Sequence, residues 1–318
     1  MDIIINGTLL AQETGLTTAK KAENIKKHYG VQPTISFIIA AKDNPAKLSE
    51  LALHVNAAKK AGLAVKEFIF DRSISEHEIL RLIDALNTDN SVHGILVILP
   101  LPLHINEEIV LLRVSAAKEL EGLRENKKNI EELFCGRQIG VLSGLIRILK
   151  SIDYDISANR NVLIMEKHTL TGNPVVMQIL KLASKLRIPL EICLPEDSNV
   201  RALTQQADLL IVSVDTPKFI DASFIKKGAI LVDFNPLIIG EEYSEKAGRI
   251  VPIFSSSLDM DSLMKKAKNI VPTLGGVGPV ALSFLLKNVV YNCEMTIKKQ
   301  QPFYHENTNI FDYSHNGS

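Results

Sequence analysis

The sequence predicts an α/β protein of two domains, an N-terminal parallel α/β domain and a second domain on a separate open sheet, with a C-terminal helix packing back on the first. Three observations predict it. Short apolar runs rich in β-branched residues alternate with longer helical patterns, as βαβ units require. The runs fall into two series parted by a charged stretch. The length, 318 residues, is enough for two buried cores.

The first series of strands is read at residues 35–40, 64–70 and 93–99, with helices between them at about 46–61 and 75–86. Ser75 with Glu78 three residues later has the spacing of a capping box, so the second helix should start there. Residues 121–160 are charged and then amphipathic, with a connecting helix expected over 141–152. The second series of strands is read at 161–165, 190–194, 208–214 and 229–233. An apolar helix is expected over about 280–297, and its natural target is the first domain. The domains are therefore expected at 1–145 plus 275–298 and at 146–274, with a polar, flexible tail at 299–318.

Lys plus Arg and Asp plus Glu are balanced at 36 each, so no net field recruits nucleic acid or an anionic membrane, and any anion site must be local. A small-molecule partner is expected. The N-terminus has an acid and no basic segment before its short apolar run, and no apolar stretch is long enough to span a bilayer. A cytoplasmic location follows as an expectation. Cys135, Cys193 and Cys293 lie far apart without metal spacing and are expected to be reduced packing residues. No metal site is expected.

Proline and glycine motifs fall after the strands, at the edge where open α/β sheets bind ligands. They are Asp43-Asn-Pro-Ala46, Gly94-Ile-Leu-Val-Ile-Leu-Pro-Leu-Pro102 and Gly275-Gly-Val-Gly-Pro279, joined by the strand segments Ala207-Asp-Leu-Leu-Ile-Val212 and Phe224-Ile-Lys-Lys-Gly-Ala-Ile-Leu-Val-Asp233. In this order and spacing the five segments resemble the bifunctional methylenetetrahydrofolate dehydrogenase/methenyltetrahydrofolate cyclohydrolase (FolD) family over residues 1–297. The resemblance implies a folate cleft between two domains, a second domain that is Rossmann-like and nucleotide-binding, with NADP on it, and a homodimer. It also implies substrate contacts from Pro100, Leu101, Pro102, Gly275, Gly276, Gly278 and Pro279.

Many positions that carry chemistry in that family hold other residues here. Where the family presents a Tyr and, four residues later, a Lys on the first-domain helix, this chain has Glu50 and His54, and the second family Lys is Asn56. Glu50 and His54 at i,i+4 form a candidate acid/base couple. The family Gln before Leu-Pro-Leu-Pro is Ile98, and the Asp that holds the pterin is Glu121. In the nucleotide loop the first Gly is Glu166, followed by Lys167 and His168; Gly172 and Pro174 remain, while the Arg is Asn173. A later Gly is Asp215, and the stretch Asp233-Phe-Asn-Pro236 replaces another glycine-containing turn. Lys167 and His168 are expected to offset part of the Glu166 charge.

NADP, which the resemblance implies, is thus disfavoured here. The expected function is a folate-family binding protein with the dehydrogenase lost and the cyclohydrolase lost or reduced. Two alternatives stand beside it. One is a hydrolase using His54, Glu50 and Glu121 on a pterin-like or planar amidine ligand; the other is a bifunctional enzyme still active through a rearranged site.

Overall fold

The structure, a computed structural model, describes residues 3–121, 136–156, 158, 161–167, 179–180, 183–184, 187–234, 237–245 and 248–300. Cys135 and the expected tail beyond residue 300 lie outside the described residues. By internal packing the described chain divides into two units. One holds residues 13–121, 136–139 and 283–300; the other holds 3–12 and the described part of 140–282.

The N-terminal unit is built from α1 (Gly7–Tyr29), β1 (Thr34–Ile39), α2 (Pro45–Lys60), β2 (Ala64–Ile69), α3 (Glu76–Thr88), β3 (Gly94–Val97) and α4 (Glu107–Arg113). The three strands are parallel in the order β2-β1-β3. Every residue of the central strand β1 is buried, which is why it reads as a continuous apolar run; β2, at the edge, is partly exposed. On α3, Ile79, Ile83 and Leu86 recur at helical spacing and pack with Ile38, Ile95 and Val97. The Ser75–Glu78 capping box forms as the spacing predicts. Beyond β3, Ile95 bridges in parallel to Glu119, adding one more short segment to the sheet.

The second unit contains α5 (Gly140–Ser151), β4 (Val162–Glu166), β5 (Leu190–Cys193), α6 (Val200–Thr204), β6 (Leu209–Ser213), β7 (Ile230–Asp233), β8 (Leu237–Ser244), β9 (Arg249–Ser255), α7 (Met260–Leu263) and β10 (Asn269–Val271). Five strands form a parallel sheet in the order β10-β7-β6-β4-β5. Its core joins Met165, Leu210, Val212, Leu231 and Ile270. Residues 3–5, expected with the first domain, pair here instead: Ile4 bridges to Ile270, and Ile5 N donates to the Ile270 carbonyl at 2.8 Å.

Helix α8 (Val277–Gln300) begins in this unit, and its residues 283–300 belong to the N-terminal one. There its amide side chains replace apolar packing with fixed polar contacts. Asn288 Oδ1 accepts from Gln138 N at 2.8 Å, and its Nδ2 donates to the carbonyls of Leu120 and Gln138, each at 2.7 Å. Asn292 Nδ2 donates to the His93 carbonyl at 3.1 Å. Cys193 and Cys293 are buried, and burial pushes both thiols up to about 12, so they pack and do not react at neutral pH.

Helix α1, strand β10 and the antiparallel β8–β9 hairpin were not legible as elements. On α1 the buried set is Thr18, Ala22 and Ile25, in which a threonine interrupts the apolar stripe. In β8 a register shift between Ile238 and Gly240 breaks the two-residue alternation.

The glycine loop before α8 has a structural reason of its own. Gly275 has φ +77°, and a Cβ on Gly276 would stand 2.0 Å from the Pro272 carbonyl oxygen. The close approach at Gly276 is therefore to the chain itself, whereas a Cβ on Gly278 would meet nothing within 4 Å. Gly276→Ala should destabilise the protein by roughly 3 kcal/mol, since backbone must move to admit the methyl. Gly278→Ala should leave stability within about 0.5 kcal/mol. Urea midpoints of the two variants check this, and equal midpoints would contradict it.

Candidate functional site

In an open parallel sheet, ligands bind where successive crossovers leave in opposite directions. In the N-terminal unit β2 lies on one side of β1 and β3 on the other, so that point lies between the carboxyl ends of β1 and β3. Helix α2 starts there. Asn44 Oδ1 accepts from Ala46 N at 3.1 Å and Lys47 N at 3.2 Å, with Pro45 in the first turn, so the local sequence fixes where the helix begins.

From that start, residues 47, 50 and 54 follow at i, i+3 and i+7 and share one face of α2. Lys47 Nζ donates to Glu50 Oε2 at 2.7 Å and to the Leu99 carbonyl at 2.5 Å. One ammonium thus ties the helix after β1 to the loop after β3, across the crossover point. The Lys47 side chain is 23% exposed and that of Glu50 42%. The Leu99–Pro100 peptide is cis, and Glu107 Oε1 accepts from Leu101 N at 2.6 Å, holding the same loop. Leu101 places its side chain in the core cluster; Pro100 is exposed and Pro102 partly so.

His54 meets Glu50 differently from the expected couple. Its Nδ1 lies 2.8 Å from the Glu50 backbone carbonyl, which only accepts, so Nδ1 is the donor in this contact. The ring stands edge-on to Phe37 at 6.1 Å. The Glu50 carboxylate is taken by Lys47. The carboxylate–imidazole couple between Glu50 and His54 is thus not formed, because an i−4 carbonyl is nearer to a helical histidine than the carboxylate is. Ile98 is buried, its N donating to the Ile38 carbonyl at 2.9 Å, and its side chain brings no polar group to the site.

Glu121 reaches the same sheet edge. Since Ile95 pairs with Glu119 in parallel, Glu121 lies level with Val97, the last residue of β3. Its N–H donates to Glu119 Oε1 at 2.5 Å. Burial, and then the Glu119 charge, push the Glu121 carboxyl up to about 7. Gly122 beside it lies outside the described residues.

The second sheet has its crossover point between β4 and β6. Strand β4 runs one residue further than the apolar run suggests, because Glu166 pairs in register with Ser213. Glu166 is buried; its Oε1 lies 3.4 Å from Ser213 Oγ and 3.2 Å from Lys167 N. Lys167, expected to offset Glu166, gives its Nζ to Asp215 Oδ2 at 2.6 Å. Asp233, at the end of β7, accepts from Ser256 Oγ at 2.6 Å and Ser257 N at 3.2 Å, fixing the loop after β9. His168, Gly172, Asn173, Pro174 and Pro236 lie outside the described residues. Among the described residues this edge sets a buried carboxylate at the strand end and pairs Lys167 with another acid.

Parallel sheets in two units, with charged side chains gathered at each crossover point, define a two-domain α/β protein with a Rossmann-like sheet. The family model for the tetrahydrofolate dehydrogenase/cyclohydrolase catalytic domain matches residues 5–121, and that for the family's NAD(P)-binding domain matches residues 141–297. The chain belongs to the tetrahydrofolate dehydrogenase/cyclohydrolase family. It is 32% identical over 298 residues to the bifunctional protein FolD of Bacillus licheniformis, covering 93% of this chain and 98% of that one. The FolD structure from Campylobacter jejuni is similar with a TM-score of 0.72 at 26% identity, over 92% of this chain and 98% of that one. A 5,10-methylenetetrahydrofolate dehydrogenase from the silkworm Bombyx mori gives 0.73 at 27%, over 94% and 100%.

Lys47 had not been singled out from the sequence. The signal available was its i,i+3 spacing to Glu50, which by itself only suggests a surface pair.

Proposed function

We propose that this chain is a folate-binding member of its family in which hydride transfer to a nicotinamide nucleotide is lost and the cyclohydrolase reaction is reduced. The observation that carries this reading is the buried Glu166 carboxylate ending β4, where a nucleotide phosphate would need close, uncharged backbone. On the N-terminal sheet Lys47, held by Glu50, stands with His54 and Glu121 at the edge, which supports binding of a reduced folate. The hydrolase reading for a planar amidine loses its support with the missing Glu50–His54 carboxylate couple. No described helix is long and apolar enough to cross a membrane, and we place the protein in the cytoplasm.

A homodimer fits the β8–β9 hairpin, which leaves Ile238, Ile239, Tyr243 and Phe254 exposed. A two-stranded hairpin is marginally stable alone, so a covering surface would stabilise it.

The test is calorimetric titration of the protein with a reduced-folate analogue and, separately, with NADP. Folate binding without NADP binding is the expected result; saturable NADP binding with NADPH formed from methylenetetrahydrofolate would overturn the reading.

Glu121 gives the binding a pH dependence. A carboxyl raised to about 7 is mostly protonated below that pH, and the ionised form is the better clamp for a pterin amidine edge. Folate affinity should therefore rise between pH 6 and pH 8, and Glu121→Gln should flatten that rise. The linked stability runs the other way: with its folded value above the unfolded one, this group's contribution is complete below the ordinary carboxylate range and is lost as pH rises through about 7. Titrations at several pH values, on both proteins, decide it.

A further inference from the structure

We propose that Lys47 is the ammonium that meets the one-carbon unit of the substrate, serving from two turns earlier on α2 the site whose lysine position holds His54. The inference rests on the folate reading above and extends it to a residue that composition and spacing did not single out.

The geometry points to it in three ways. Lys47 and His54 are seven residues apart on a helix, a displacement of about 20° around the axis, so both lie on the face that carries Glu50. The ammonium spans the crossover point of the sheet, reaching from α2 to the Leu99 carbonyl at 2.5 Å, beside the proline loop. Finally, an ammonium has three N–H donors. Two are used, on Glu50 Oε2 and Leu99 O, and among the described residues the third has no partner. Two anchored donors hold the third in a fixed direction at a side chain that is 23% exposed.

In hydrolysis of a methenyl bridge, the oxygen of water bonds to the bridging carbon and loses a proton. The carbon–nitrogen bond then breaks and the nitrogen takes up a proton, so one proton of the water ends on nitrogen and the other is released. Negative charge grows on that oxygen before the bond breaks, and a fixed N–H donor there stabilises it. Glu50 sets the direction of the ammonium without meeting the substrate.

Hydrolysis of 5,10-methenyltetrahydrofolate should be followed for the wild type, Lys47→Met, Lys47→Arg and the double variant Lys47→Met/His54→Lys, with urea midpoints for each. Lys47→Met should lower kcat about 100-fold with a smaller change in KM, as loss of one such donor does elsewhere. Lys47→Arg should keep part of the activity, and the double variant should recover at least tenfold over Lys47→Met by returning an ammonium to position 54. Wild-type turnover that Lys47→Met leaves unchanged would overturn the assignment of Lys47 alone. A loss of activity matched by a lower urea midpoint, with no recovery in the double variant, would make Lys47 structural and overturn it too. A wild type that neither hydrolyses the compound nor binds a reduced folate would overturn the folate reading and this inference with it.

Discussion

Glu166→Gly should raise the affinity for NADP, by at most about a thousandfold. Two like charges about 4 Å apart at an effective dielectric near 20 repel by about 4 kcal/mol, and each 1.4 kcal/mol is a factor of ten. The dielectric choice suits a buried group, and Glu166 is 4% exposed. Asp215→Gly should act more weakly by itself, since its side chain is 54% exposed and already paired with Lys167. Its effect comes through Lys167, whose ammonium would be released toward a phosphate. In the double variant the two gains share Lys167 and should not simply add. Calorimetry with NADP on the single and double variants checks this. If Glu166→Gly leaves affinity where the wild type has it, the charge at the end of β4 does not govern nucleotide binding.

Asn288→Leu should cost about 4 kcal/mol of stability, the largest loss expected from one side chain here. Leucine branches like asparagine with the same number of heavy atoms but is bulkier, so the change removes the hydrogen bonds and adds some crowding. Gln138 N, Gln138 O and Leu120 O all lose this partner, in a place where Asn288 is fully buried. Each buried polar group left without its bond costs roughly 1–3 kcal/mol. Asn292→Leu should cost less, because its bond to the His93 carbonyl is single and longer, at 3.1 Å, and its Oδ1 contacts to Arg137 are part-buried. Urea denaturation of both variants gives the comparison. A loss below about 1 kcal/mol for Asn288→Leu would mean that water or relaxation replaces these bonds.

Most of the framework could be read along the chain because strands buried on both faces leave continuous apolar runs. Residues 35–40 were expected where β1 occupies 34–39, and residues 229–233 where β7 occupies 230–233. The capping box at Ser75 was legible because a helix start is decided by residues three apart. What failed was what depends on distant partners. The β8–β9 hairpin has no clean alternation, and the short β10 becomes a strand by pairing with β7. The charge partners were also reassigned. Lys167 sits next to Glu166 in sequence yet neutralises Asp215, forty-eight residues away.

The sequence by itself determined the two-domain α/β plan, the family, and the set of positions where an acid or apolar residue replaces the expected group. Periodicity and turn chemistry are local, so they survive in one dimension. Only the tertiary structure decided what those groups do. It gave the Glu50 carboxylate to Lys47, the His54 proton to a backbone carbonyl, and the room at Gly276 to Pro272. Which donor reaches which acceptor depends on crossover direction and strand register, and both are set by burial of the whole sheet, not by neighbours along the chain.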